Sequence, residues 1–125
     1  MKSDFDESPS RRLTRLDWTQ IGRDLDARGN AVIANLLTKN ECADLATLYE
    51  VDRTFRKTVI MARHGFGRGE YRYFCYPLPD IVQQLRECFY AYLAPIANRW
   101  NDAMGIASRF PLDFERYIAS CAASG

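Results

Sequence analysis

Apolar positions along this chain recur at helical spacing in some stretches and alternate in others. Leu13, Leu16, Ile21 and Leu25 lie at helical intervals, with Asp17 placed as an N-cap before Trp18 and Gly29 as a stop. A helix over 18–28 is therefore predicted. The run Asn30-Ala-Val-Ile-Ala-Asn-Leu-Leu37 is short, apolar and β-branched at its centre. It follows a Gly-Asn turn signal and reads as a buried strand over Ala31–Leu37. Thr38-Lys-Asn-Glu41 matches a capping box, in which the Thr hydroxyl and the Glu carboxylate each accept from the other residue's backbone amide. The helix it opens is expected to bury Cys42, Leu45, Leu48 and Tyr49.

The pattern then changes period. Phe55 to Met61 favours a strand, centred on Thr58-Val-Ile-Met61, and Glu70-Tyr-Arg-Tyr-Phe-Cys-Tyr76 favours another. In the second, Tyr71, Tyr73 and Cys75 share one face and Arg72, Phe74 and Tyr76 the other. The glycine-rich stretch Arg63–Gly69 joins them into a long-looped hairpin, and Pro77-Leu-Pro79 ends it. From Asp80 to Met104 the apolar residues Ile81, Leu85, Phe89, Tyr92, Ile96 and Trp100 form the stripe of the longest helix. Pro95 inside it predicts a kink, and Gly105 stops it. Pro111 opens a last helix that carries Leu112, Phe114, Tyr117, Ile118 and Cys121. Residues 1–12 are polar and read as a disordered tail, leaving 13–125 as one domain. The fold class is α+β, with helices packed on a small, mostly antiparallel sheet.

Composition narrows the function classes. A chain of 125 residues, 47% apolar and 26% charged, is sized for a single globular domain. Seventeen basic against sixteen acidic side chains give a net charge of +1, so no overall electrostatic footprint for nucleic acid is present. Cys42, Cys75, Cys88 and Cys121 are far apart in sequence, and His64 is the one histidine. That spacing supports no structural zinc site. No apolar run is long enough for a membrane span, and the first residues carry no secretory pattern. The expectation is a cytoplasmic chain with free thiols and no membrane contact.

Candidate chemistry concentrates in the hairpin. His64 could act as a base or ligand, or could simply be a solvated loop residue. Alone it makes no metal site, since even a non-haem iron centre needs two histidines and a carboxylate. His64-Gly-Phe-Gly-Arg-Gly69 lacks the Lys-Ser/Thr of a P-loop and lies between strands rather than before a helix. It fits better as a loop that closes over a substrate. Tyr71, Tyr73, Phe74 and Tyr76, interleaved with Arg68 and Arg72, could stack bases or could pack a core and one sheet face. Cys75 and Cys88 have no nearby base.

Three strings carry a resemblance. Ala62-Arg-His-Gly-Phe-Gly-Arg-Gly-Glu-Tyr-Arg-Tyr-Phe74, Pro77-Leu-Pro79 and Leu93-Ala-Pro-Ile-Ala-Asn-Arg-Trp-Asn101 resemble the amino-terminal half of a bacterial family of iron(II)- and 2-oxoglutarate-dependent oxygenases. That family is related to the prolyl-hydroxylase-like group. The segment from Ala31 to Cys42 and its helix resembles the opening segment of that superfamily more generically. The resemblance implies a double-stranded β-helix whose strands carry a His-x-Asp…His iron triad and an arginine for 2-oxoglutarate. It also implies oxidation of damaged, methylated DNA as a suggested activity. This chain has one histidine and no His-x-Asp, so none of those ligands is carried over.

The resemblance makes the chain an amino-terminal portion whose partner is a missing C-terminal β-helix core, inactive alone. Iron(II) and 2-oxoglutarate are cofactors of the full-length family and not of this chain. Arg63, His64, Arg68, Tyr71, Arg72 and Tyr73 are then the substrate-side candidates, by position. Self-association through the Asp80–Met104 helix is expected, and strong nucleic-acid binding by this portion is not. The alternative is a small free-standing interaction or nucleic-acid-binding module.

Overall fold

The computed structural model describes residues 7–124. It is mostly helical, with one two-stranded antiparallel sheet, an α+β chain. The elements are α1 (Pro9–Thr14), α2 (Trp18–Arg28), α3 (Lys39–Leu48), β1 (Phe55–Ile60), β2 (Glu70–Phe74), α4 (Asp80–Ala103) and α5 (Phe114–Ala123). They divide into two compact units: the residues up to Leu36 together with those from Ile81 onward, and Leu37–Asp80.

In the first unit α1 occupies part of the expected tail. Ser8 caps it, Pro9 sits where a missing amide costs nothing, and Leu13 is fully buried. Residues 9–12 of the expected tail are thus helical, and residues 1–6 of it lie outside the described residues. Helix α2 begins and ends as its sequence predicts: the Asp17 carboxylate accepts from the Gln20 amide, and Gly29 takes the left-handed conformation. Trp18 at its start stacks on Tyr92 of α4 at 4.1 Å, meets Phe89 edge-on, and donates its indole N–H to the Leu13 carbonyl. Farther along, the Asp26 carboxylate accepts from the Arg99 guanidinium at 2.8 Å and from the Trp100 indole at 2.7 Å.

The strand expected over Ala31–Leu37 does not form. Those residues carry no regular structure and then turn, with Asn35 in the left-handed region (φ 58°) and Val32 88% exposed. Asparagine tolerates that backbone better than most residues, and a turn there is incompatible with a continuous strand. The strands present pair with each other and leave this segment no ladder. The Leu36 carbonyl is held instead by the Arg12 guanidinium.

Helix α4 runs 24 residues, contains Pro95, and buries Ala94 and Ile96. Gly105 (φ 71°) ends it: its amide bonds the Asp102 carbonyl, and the Ile106 amide reaches back to Asn101. That 5→2 and 6→1 pair needs a left-handed residue, which glycine supplies without a Cβ clash. The following segment returns along α4. Asn98 holds Phe110 by two bonds, its amide donating to the carbonyl at 2.9 Å and its oxygen accepting from the N–H at 2.6 Å. Helix α5 starts at Phe114, capped by Asp113, and not at Pro111 as its sequence suggests. Tyr90 ties the two helices, stacking on Tyr117 at 4.9 Å and donating to the Pro111 carbonyl.

In the second unit the capping box before α3 is complete. The Thr38 amide donates to Glu41 at 2.8 Å, and the Glu41 amide donates to the Thr38 hydroxyl at 3.1 Å. Cys42 and Tyr49, expected inside, are exposed, and Leu45 and Leu48 of the same helix face are only half-buried. Strands β1 and β2 form the predicted hairpin, with Thr58 opposite Arg72 and Val59 opposite Tyr71. No residue of this unit is fully buried. Across the described residues no helix is long and apolar enough to cross a membrane.

Candidate functional site

The hairpin presents two chemically different faces, because alternate residues of a strand point to opposite sides. One face is closed upon itself. Phe55 and Phe74, opposite each other in the ladder, stack at 5.1 Å, and Tyr49 leans on Phe55 at 5.7 Å. Arg72 lies over this cluster, 4.4 Å from the Phe55 ring centre and 5.2 Å from that of Tyr49. Its guanidinium donates to the Thr58 hydroxyl (2.9 Å), the Tyr49 carbonyl (2.6 Å) and the Asp52 carboxylate (2.9 Å). The Tyr49 hydroxyl in turn donates to Glu70 at 2.7 Å, which raises the Tyr49 pKa above its ordinary value. Arg72 is only 14% exposed, with donors on all three nitrogens engaged inside the unit.

The opposite face is open. Lys57 and Val59 of β1 stand across from Tyr73 and Tyr71 of β2. The tyrosine rings lie 5.6 Å apart at 78° and are 43% and 44% exposed. Desolvation, and then the neighbouring Tyr73, raise the Tyr71 pKa above its ordinary value. After β1 the chain makes a short 3-10 turn over Met61–His64. Glycines 65, 67 and 69, all at positive φ, then carry it round to β2. This fold-back makes a pocket of about 460 Å³ between the tyrosine face and the loop, with Lys57, Met61, Arg63, His64 and Phe66 among its walls. None of the described residues lining it is acidic.

Of the residues singled out from sequence, the pocket gathers Arg63, His64, Tyr71 and Tyr73. Arg68 is on the exposed loop but not in its walls, and Arg72 is on the other face. Lys57 and Phe66 are additions. Lys57 follows from the register, since a bulge between Phe55 and Lys57 shifts the alternation by one residue and no composition signal marks it. Arg56, at that bulge, lies 5.3 Å over the Tyr73 ring. A metal has no comparable place: among the described residues no three His, Cys, Asp or Glu side chains come together. All four cysteines are free.

Against known proteins, residues 69–125 are similar to Oxygenase-NA, a family described as an oxygenase catalysing oxidative methylation of damaged DNA. The matched span takes in β2, α4 and α5, and with them the Pro77-Leu-Pro79 and Leu93–Asn101 strings. No curated protein and no solved structure matches the chain. Within the matched span, Asn98, Arg99 and Trp100 hold neighbouring segments in place, while Tyr71 and Tyr73 face the pocket.

Proposed function

We propose that this chain is the portion of an iron(II)- and 2-oxoglutarate-dependent oxygenase, of the prolyl-hydroxylase-like group, that precedes the catalytic β-helix core. It supports that core and shapes substrate access to it. The supporting observation is the open, aromatic and cationic hairpin face, in a chain whose residues 69–125 resemble an oxygenase family. The iron itself does not fit here. A facial triad needs two histidines and a carboxylate, whereas this chain has His64 alone. No oxidative step is therefore assigned to these residues, and the chain by itself is inactive. A reducing compartment, the cytoplasm, suits its four free thiols.

Incubation with iron(II), 2-oxoglutarate and oxygen is expected to release no succinate above the free-iron background. Stoichiometric succinate release overturns the reading. The coding DNA read past Gly125 is expected to show an in-frame His-x-Asp and a distal histidine. An immediate stop codon, with a folded monomer, favours the free-standing interaction or nucleic-acid-binding module instead. That second reading has one observation in its favour: the pocket is built wholly within residues 37–80.

A further inference from the structure

We infer that the hairpin pocket is a binding site for one unpaired nucleotide of a nucleic-acid strand, the base stacking on Tyr71 and the phosphates meeting Lys57 and Arg63. This deepens the substrate-access reading above and rests on it.

The geometry selects a single base. Tyr71 and Tyr73 stand nearly perpendicular, so they cannot act as parallel platforms for two successive bases. Arg56 already lies over the Tyr73 ring. Tyr71, with no cation over its ring, is then taken as the platform, and Tyr73 lines the same pocket. Phe66, 73% exposed on the facing loop, supplies a second apolar contact. A volume of about 460 Å³ falls within the range of small-molecule sites and suits one nucleotide rather than a duplex segment.

The charge selects an anion. Lys57 and Arg63 line the same cavity and no described lining residue is acidic, although the chain as a whole carries only +1. A near-neutral molecule does not bind phosphates strongly, but a local pair of cations binds a few of them weakly. Arg72, the most conspicuous cation in the aromatic string, takes no part, because its donors are spent on the opposite face. A paired base offers no free face to a tyrosine, so the strand must be unpaired at the site.

Fluorescence anisotropy of labelled twelve-nucleotide probes tests this at low salt. Single-stranded oligothymidylate is expected to bind with a dissociation constant of roughly 10–100 µM, the weak end of phosphate-driven association. An abasic strand of the same length should bind about tenfold more weakly, as should Tyr71→Ala, whereas Tyr71→Phe keeps the ring and keeps the affinity. Lys57→Ala and Arg63→Ala should each lower the salt slope by about 0.7. Circular dichroism confirms that each variant is folded.

Equal binding of the abasic strand, or of a duplex, overturns the inference. So does loss of binding in Tyr71→Phe, unchanged binding in a folded Tyr71→Ala, or tighter binding of an acidic peptide. Absence of binding up to millimolar strand overturns it as well, and leaves the substrate-access reading standing if the succinate assay stays silent. Succinate release with intact strand binding does the reverse.

Discussion

Two side-chain networks show how single residues hold the Leu37–Asp80 unit, which has no fully buried residue to rely on. Thr38 and Glu41 satisfy each other's amides at the start of α3, where unpaired N–H groups would otherwise face solvent. Thr38→Ala is expected to cost roughly 0.5–2 kcal/mol, read from the urea midpoint, and Thr38→Ser to recover most of it. Arg72 acts differently. Its fork reaches three acceptors while its plane covers two rings, a geometry lysine cannot copy. Arg72→Lys is expected to destabilise by about 2–3 kcal/mol, since hydrogen bonds to charged groups are worth more than neutral ones. Asp52→Asn should cost less than about 1 kcal/mol, because Asp52 is 92% exposed and its ion pair is screened. Equal losses in both variants would mean that the ion pair, and not the fork over the rings, is what matters.

At the scale of elements, α4 organises the other unit by offering two sides to different neighbours. Toward α2 it gives Phe89, Tyr92, Arg99 and Trp100; toward α5 and the segment before it, Tyr90 and Asn98. Trp18 is half-buried against the first side, so Trp18→Ala is expected to cost about 2–4 kcal/mol, somewhat below the full core value. Thermal unfolding followed in the far ultraviolet measures it. The Asp26 clamp adds a pH dependence. Hydrogen bonds from Trp100 and then Arg99 hold its carboxyl below the ordinary value of 3.8. A depressed carboxylate stabilises the fold above its unfolded pKa, and that contribution is lost as pH falls through the folded value. The urea midpoint should therefore drop more steeply below pH 4 in the native chain than in Asp26→Asn. Parallel curves would show that the clamp carries no linkage.

The whole molecule is thinly cored. Among the described residues only Pro9, Leu13, Ala94 and Ile96 are buried, all in the first unit. Leu93, Met104, Ile106, Phe110 and Leu112 remain exposed along and after α4. Large exposed apolar surface is unusual for a monomer, and a small core leaves little margin of stability. Concentration-dependent association with dye binding is the expected behaviour, seen by light scattering beside a hydrophobic-dye titration. A strictly monomeric, dye-silent chain with one sharp unfolding transition would show that this surface needs no cover.

What the sequence determined by itself is what local interactions decide. The caps at Asp17 and Thr38, the stop at Gly105, the helix from Asp80 and the alternating faces of β2 all depend on neighbours a few residues away. So does the separation of Tyr71 and Tyr73 from Arg72, which follows from a period of two. Tertiary structure decided the rest. Ala31–Leu37 has the composition of a strand but finds no ladder, because strand formation needs a partner and composition names none. The bulge before Lys57 put that cation beside the tyrosines, and the glycine loop brought His64 and Phe66 back over them. Arg72 looked like a ligand-binding residue in the aromatic string, yet long-range acceptors at Tyr49 and Asp52 claimed it. Contacts across some twenty residues of sequence are set by how the chain closes on itself, and no local pattern encodes that closure.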